Sequence, residues 1–162
     1  MLLESLIQSI KFVKGLAPAA DRWNTNPSTD VVSMANYNNV CFLVHQAGGT
    51  TGTATFTVNC SASNAGGSPT AIPFRYAKGP TGAGASSDIM GALTEATAAG
   101  FTSTAAEDAL YLIEVSASEL TADKPYVFLT CTEAANDPVN GAVEIILYNP
   151  RYAGAVQPTS IA

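Results

Sequence analysis

His45 is the only histidine in the chain, which removes most zinc-ligand sets and most nucleophile–base relays at once. The one pairing left to test is with Cys41, since a thiol beside an imidazole is the arrangement that activates sulfur for acyl transfer. Both residues fall in the run Asn39 to His45, which reads as a single strand, and four residues along a strand span about 13 Å. That is far beyond hydrogen-bond reach, so His45 is expected to be a strand-end histidine at the rim. Gly79-Pro80-Thr81-Gly82-Ala83-Gly84-Ala85-Ser86 has the spacing of a phosphate-binding loop, GxxxxGK[ST], except that Ala85 stands where the lysine belongs. Without that charge nothing holds the terminal phosphates, and no alternating βαβ pattern surrounds it; it reads as a flexible glycine-rich loop. The thirteen carboxylates are scattered, with Glu107-Asp108 the only adjacent pair, and no DxDxDG calcium loop occurs. A paired-acid sugar hydrolase would call for several aromatic side chains lining a cleft, and there is one tryptophan. Asn59-Cys60-Ser61 is a glycosylation triplet in form only, because it lies inside a predicted strand. Cys41, Cys60 and Cys131 are far apart, odd in number and without a CxxC, as small buried hydrophobes are and a disulfide framework is not. These residues predict no catalytic group, no metal ligand and no cofactor; the chain is not expected to be an enzyme.

Charge narrows the partners. Thirteen acids against seven bases give a net charge of -6, which repels phosphate backbones and anionic headgroups, so neither nucleic acid nor a membrane surface is an expected partner. Charged residues make up 12% of the chain where about 25% is usual, while apolar residues reach 47%. A surface that is polar without being charged suits a protein partly covered by a partner. The opening MLLESLIQSIKFVKGLAPAAD fails as a secretory leader, because no basic segment precedes the apolar part and Glu4, Lys11 and Lys14 interrupt it. The same charges rule out a membrane span there, which needs about 20 apolar residues in succession.

The elements that position these residues are mostly strands. Thr53 to Ser63 alternates strictly, with Ala54, Phe56, Val58, Cys60 and Ala62 on one face and threonine, asparagine and serine on the other. Val31 to Ala35, Asn39 to His45, Ile72 to Ala77, Ala109 to Ser116, Tyr126 to Thr132 and Ala142 to Tyr148 are β-rich runs bounded by turn residues. Together they predict an all-β fold, an antiparallel β-sandwich of jelly-roll or immunoglobulin-like type, with Val127, Leu129, Val143, Ile145 and Leu147 also in the core. Leu2, Leu3, Leu6, Ile7, Ile10 and Val13 recur at helical spacing and predict a short amphipathic helix over the first dozen positions. The expected organisation is a helix and arm over 1–30, the sandwich over 31–152 and a tail over 153–162. Between Lys78 and Asp108 a stretch of glycine, alanine, serine and threonine reads as one long loop. Ser116 to Leu120 predicts a single capped helical turn.

The late strands carry apolar residues on both parities: Tyr126 and Phe128 stand opposite the core set of one run, Ile146 and Tyr148 opposite that of the other. Something is expected to cover that second face. Leu3, Ile7, Trp23, Tyr126, Phe128, Ile146, Tyr148, Arg151 and Tyr152 are the candidate interface residues.

The order Asp30-Val31-Val32-Ser33-Met34, then Phe74 after a Gly/Ser loop, then Leu112-Ile113-Glu114-Val115-Ser116-Ala117-Ser118-Glu119-Leu120 and a last strand ending Leu147-Tyr148-Asn149-Pro150-Arg151-Tyr152 resembles small virion proteins of tailed bacteriophages, those of the head decoration, or cement, type. The resemblance covers most of Asp30 to Tyr152 through short permissive motifs, and the stretch after Lys78 and the tail depart from it. It implies a β-sandwich made in the host cytoplasm that binds the outer surface of the capsid. The partners it implies are the major capsid protein and the chain itself, as a homotrimer or another symmetric oligomer. The alternatives are another virion structural role, in tail or head completion, and a β-sandwich receptor- or carbohydrate-binding module.

Overall fold

The computed structural model describes residues 6–48, 51–81, 88–152 and 160–161. The chain runs through α1 (Leu6–Ser9), β1 (Ile10–Ala19), β2 (Val32–Ser33), β3 (Tyr37–Gln46), β4 (Thr53–Ser61), β5 (Thr70–Ala71), β6 (Phe74–Thr81), β7 (Thr94–Ala96), β8 (Phe101–Thr102), β9 (Ala109–Ser116), a 3-10 turn (Ala117–Glu119), β10 (Tyr126–Ala135) and β11 (Gly141–Pro150). Antiparallel pairing builds a six-stranded sheet in the order β1-β11-β3-β9-β6-β7 and a second sheet in the order β2-β10-β4-β5, with β8 also on β4. The two sheets pack face to face as a β-sandwich. Their inner faces follow the period-two pattern: Ala54, Phe56, Val58, Val127, Leu129, Val143, Ile145 and Leu147 are all fully buried. Phe56 of β4 bridges the sheets through Trp23, Phe101 and Tyr111, with ring centroids 5.5, 5.5 and 5.9 Å away.

The N-terminal segment differs from the helix its spacing predicts. Among the described residues helix is confined to Leu6–Ser9, and from Ile10 the chain is a ten-residue strand paired with β11. The reason is tertiary. Val13 and Leu16 gain burial in the core on the edge of the six-stranded sheet, which a four-residue helix cannot offer. Gly15 marks the break that hides the strand from a period-two reading: the register shifts between Lys14 and Leu16, and a Cβ at Gly15 would lie 2.8 Å from the Val143 carbonyl oxygen. The sheet therefore starts at Ile10, not at Val31.

The irregular connector after β1 is also bound to its own domain. Arg22 N donates to Val139 O, Thr29 N to Leu129 O and Cys131 N to Pro27 O, while Thr29 Oγ1 accepts from Leu129 N. It runs along the free edge of β10 and inserts Trp23 into the core, 2% exposed.

The stretch from Lys78 to Asp108 is not one loop. β6 extends to Thr81, β7 returns as a hairpin on β6, and β8 crosses to β4 and stacks Phe101 on Tyr76 at 3.7 Å. Most of the phosphate-loop look-alike, residues 82–86, lies outside the described residues. Two smaller readings separate: Ser116 does cap the 3-10 turn in a reciprocal capping box with Glu119, but the alternation of β4 ends at Ser61, which turns inward and donates to Gly67 O, leaving Ala62 exposed.

Candidate interaction surfaces

The residues with chemical potential are kept apart by the strands that carry them. Cys41 and His45 lie on the outer side of β3, opposite Glu114 and Leu110 of β9 respectively. Burial, and then the carboxylate of Glu114 beside it, push the Cys41 thiol up to about 11, against a backbone hydrogen bond at Ile113 that lowers it. A thiol so held is protonated at neutral pH and is a poor nucleophile. Burial raises the Cys131 thiol as well, and all three cysteines are free. Glu107 is paired with Lys78 rather than working with Asp108. Among the described residues no group of three or more His, Cys, Asp or Glu could hold a metal ion. At the end of the sandwich where β1 finishes and β11 begins, His45, Asp108, Asn140 and Glu144 line an open cleft of about 670 Å³ with Pro18, Ala19 and Ala47.

The outer face of the six-stranded sheet is more telling. Pairing places Phe12, Ile146, Cys41, Glu114 and Arg75 in one row across β1, β11, β3, β9 and β6. The next row is Lys14, Glu144, Leu43, Leu112 and Ala77, and the row on the other side begins Ile10, Tyr148, Asn39. Antiparallel sheets of a sandwich normally turn a polar face to water, yet this one presents isoleucine, leucine, tyrosine and a phenylalanine that is 54% exposed. Cys41, Ala77, Leu93, Leu112, Glu114, Ile146 and Tyr148 line a groove of about 280 Å³ on it.

The candidate interface residues do not form one set. β10 and β11 belong to different sheets, so Tyr126 and Phe128 look out from one side of the molecule and Ile146 and Tyr148 from the other. Phe128 is already covered by its own chain: it is 6% exposed, and a Cβ at Gly66 would lie 3.4 Å from both its ring and Val31. Trp23 is core. Leu3 lies outside the described residues, and of Ile7 only its backbone, in α1, is described. The spacing of Phe12, Leu43 and Leu112 escaped the sequence reading because no period shows which outward apolar residues become neighbours until strand order is known.

One convergence survives. Because β1 and β11 are antiparallel, Ile10 stands opposite Tyr148, and the start of the described chain meets the exit of the last strand. Leu6, 65% exposed, and Tyr152, 71% exposed, thus project from the same end, with Arg151 exposed between β11 and Tyr152. Arg151 N donates to Asn36 O, and its side chain borders a groove of about 400 Å³ with Met34, Leu120 and Pro125. Asn38, Asn39 and Asn149 tie the strand ends there, Asn149 Nδ2 donating to Asn39 Oδ1 and Asn38 Nδ2 to Asn149 O. Ser160 reaches the same region, its carbonyl accepting from Ser33 N, and leaves Ile161 at the surface. The chain matches no family model, no curated protein and no solved structure.

Proposed function

We propose that this protein is a capsid decoration, or cement, protein, which binds the outer surface of a tailed-phage head and stabilises its lattice. The observation that carries the reading is the convergence at one end of the sandwich of Leu6, Arg151 and Tyr152, which come from opposite ends of the sequence. Arg151, which borders a groove with Met34 and Leu120, and Tyr152, next to it in the chain, are of the residue types that anchor protein interfaces. The rest of the fold suits a clamp: a stiff double sheet needs no titratable group to do this work, and its partner is the major capsid protein. Many copies of a modest contact add up over a lattice, so weak binding per subunit still resists internal pressure.

The test is to strip the protein from particles, heat them and add it back. Decorated heads are expected to release DNA at a higher temperature than bare heads; equal release temperatures overturn the reading. A receptor- or carbohydrate-binding module would use the cleft at the far end, and among the described residues its walls, which include Pro18, Ala19, His45, Ala47 and Asn140, carry no tryptophan, tyrosine or phenylalanine on which a sugar could stack.

A further inference from the structure

β2 is an edge of the second sheet. β10 pairs with it on one side, and on the other the N–H of Ser33 donates to the carbonyl of Ser160 at 2.8 Å. A sheet edge is where an extended peptide adds, its main chain supplying hydrogen bonds and its side chains filling pockets alongside. Such a pocket is present here: the groove of about 400 Å³ begins at Met34 and Ala35, which follow β2 directly, and runs on along Leu120 and Pro125. Ser160 holds the edge but fits it poorly. It is 3% exposed, and its hydroxyl is buried without a hydrogen-bond partner among the described residues. We propose that the outer edge of β2 is a docking site for an extended peptide segment of a partner protein, one with alanine where Ser160 sits, and that the chain's own Ser160 holds the site closed until that segment replaces it.

The mismatch is what makes the cover replaceable. A hydroxyl that leaves water for a site with no partner loses its hydration and gains nothing in return. The backbone of Ser160 is thus accepted while its side chain is not, and an otherwise equal strand carrying alanine there binds about fivefold or more tightly. Ile161 beside it is 46% exposed, so Ser160 is the member of this pair that the site encloses. The covering segment has its tether in its favour: joined to the same chain, it competes at an effective concentration of about a millimolar. A strand of equal fit is therefore kept out, and only a better one enters.

The probes are the free peptide of residues 153–162 and its Ser160→Ala form. No capsid enters the test, so its outcome is independent of the lattice reading. A chain ending at Tyr152 is expected to bind both peptides in titration calorimetry, the alanine form about fivefold or more tightly. The full chain, its edge already filled, is expected to take up the serine peptide at least about tenfold more weakly than the shortened one. Far-UV circular dichroism and thermal melting report whether the shortened chain keeps its fold. If it does not, Ser160→Arg in the full chain opens the edge instead, because an unpaired arginine is too costly to bury there. Amide exchange at Ser33 locates the contact: it is expected to slow when peptide is added to the opened chain, and to be slower in full-length Ser160→Ala than in the wild type. No uptake of either peptide by an opened chain, equal affinities for the two, or a Ser33 amide indifferent to both peptide and substitution overturns the proposal.

Discussion

Gly141 lies against the indole of Trp23: a Cβ at Gly141 would sit 2.4 Å from Cζ2 and 2.8 Å from Cη2 of that ring. The glycine opens β11 opposite Gln46 of β3, and its missing side chain is the space into which the connector after β1 drives the only tryptophan. Gly141→Ala must therefore displace either the ring or the strand. Overpacking of this kind costs about 1–3 kcal/mol. Urea unfolding is expected to show that loss together with a red shift of tryptophan emission. An unshifted spectrum and unchanged midpoint would mean that Trp23 does not pack there.

Phe56 is the centre of the core. It is fully buried and contacts Trp23 edge-on at an interplanar angle of 85°, with Phe101 and Tyr111 tilted beside it. Tyr111 is itself fixed, since its hydroxyl accepts from Thr104 N at 3.0 Å. Phe56→Ala removes a ring that both sheets share, and the surrounding rings cannot close the gap. The expected loss is about 3–5 kcal/mol, measured by denaturant unfolding; a loss below 1 kcal/mol, about the cost of a surface change, contradicts this packing.

The thiols give a pH signature. Cys41 rises from 9.0 to about 11 in the folded chain, and Cys131 rises too, so the folded state holds protons that the unfolded state releases first. Stability from these groups is complete below pH 9 and is lost as pH climbs from about 9 toward 11 and beyond, at about 1.4 kcal/mol per pH unit for each thiol at most. Melting temperature is expected to fall over that window, and less so in Cys41→Ala. Alkylation of native protein at pH 8 is expected to be slow at Cys41, and Glu114→Gln to speed it by removing the carboxylate that opposes the thiolate.

How much of this was legible beforehand depended on whether neighbours along the chain or across it decide a residue's place. β4 was readable because Ala54, Phe56, Val58 and Cys60 all face one core at a period of two. β1 was not: Leu6, Ile10 and Val13 satisfy a helical spacing, and only β11, more than a hundred residues away, makes the segment from Ile10 a strand. The same distance hid the surfaces. Ile146 and Tyr148 were recognisable as outward apolar residues, but their grouping with Phe12, Cys41 and Leu112, and their separation from Phe128, follow from sheet order alone. Arg151 and Tyr152 were picked by residue type alone, and both are exposed past the last strand.

The proposed lattice contact yields the last expectation. Arg151 and Tyr152 are exposed past the final strand, Arg151 bordering the groove it shares with Met34 and Leu120, and neither side chain contributes to the core. Replacing them should therefore leave folding intact and act on binding alone. Anchor residues of these types cost about 2 kcal/mol or more when truncated, a fall in affinity of more than tenfold. Arg151→Ala and Tyr152→Ala are each expected to lower occupancy on stripped heads by that factor without moving the melting temperature of the free protein. Thr132→Asp, on the outer face of the other sheet, is expected to bind normally. Cosedimentation with stripped heads at graded protein concentration measures all three. If both alanine variants bind as well as the wild type, this end of the sandwich does not face the capsid; if Thr132→Asp alone fails, the outer face of the second sheet does.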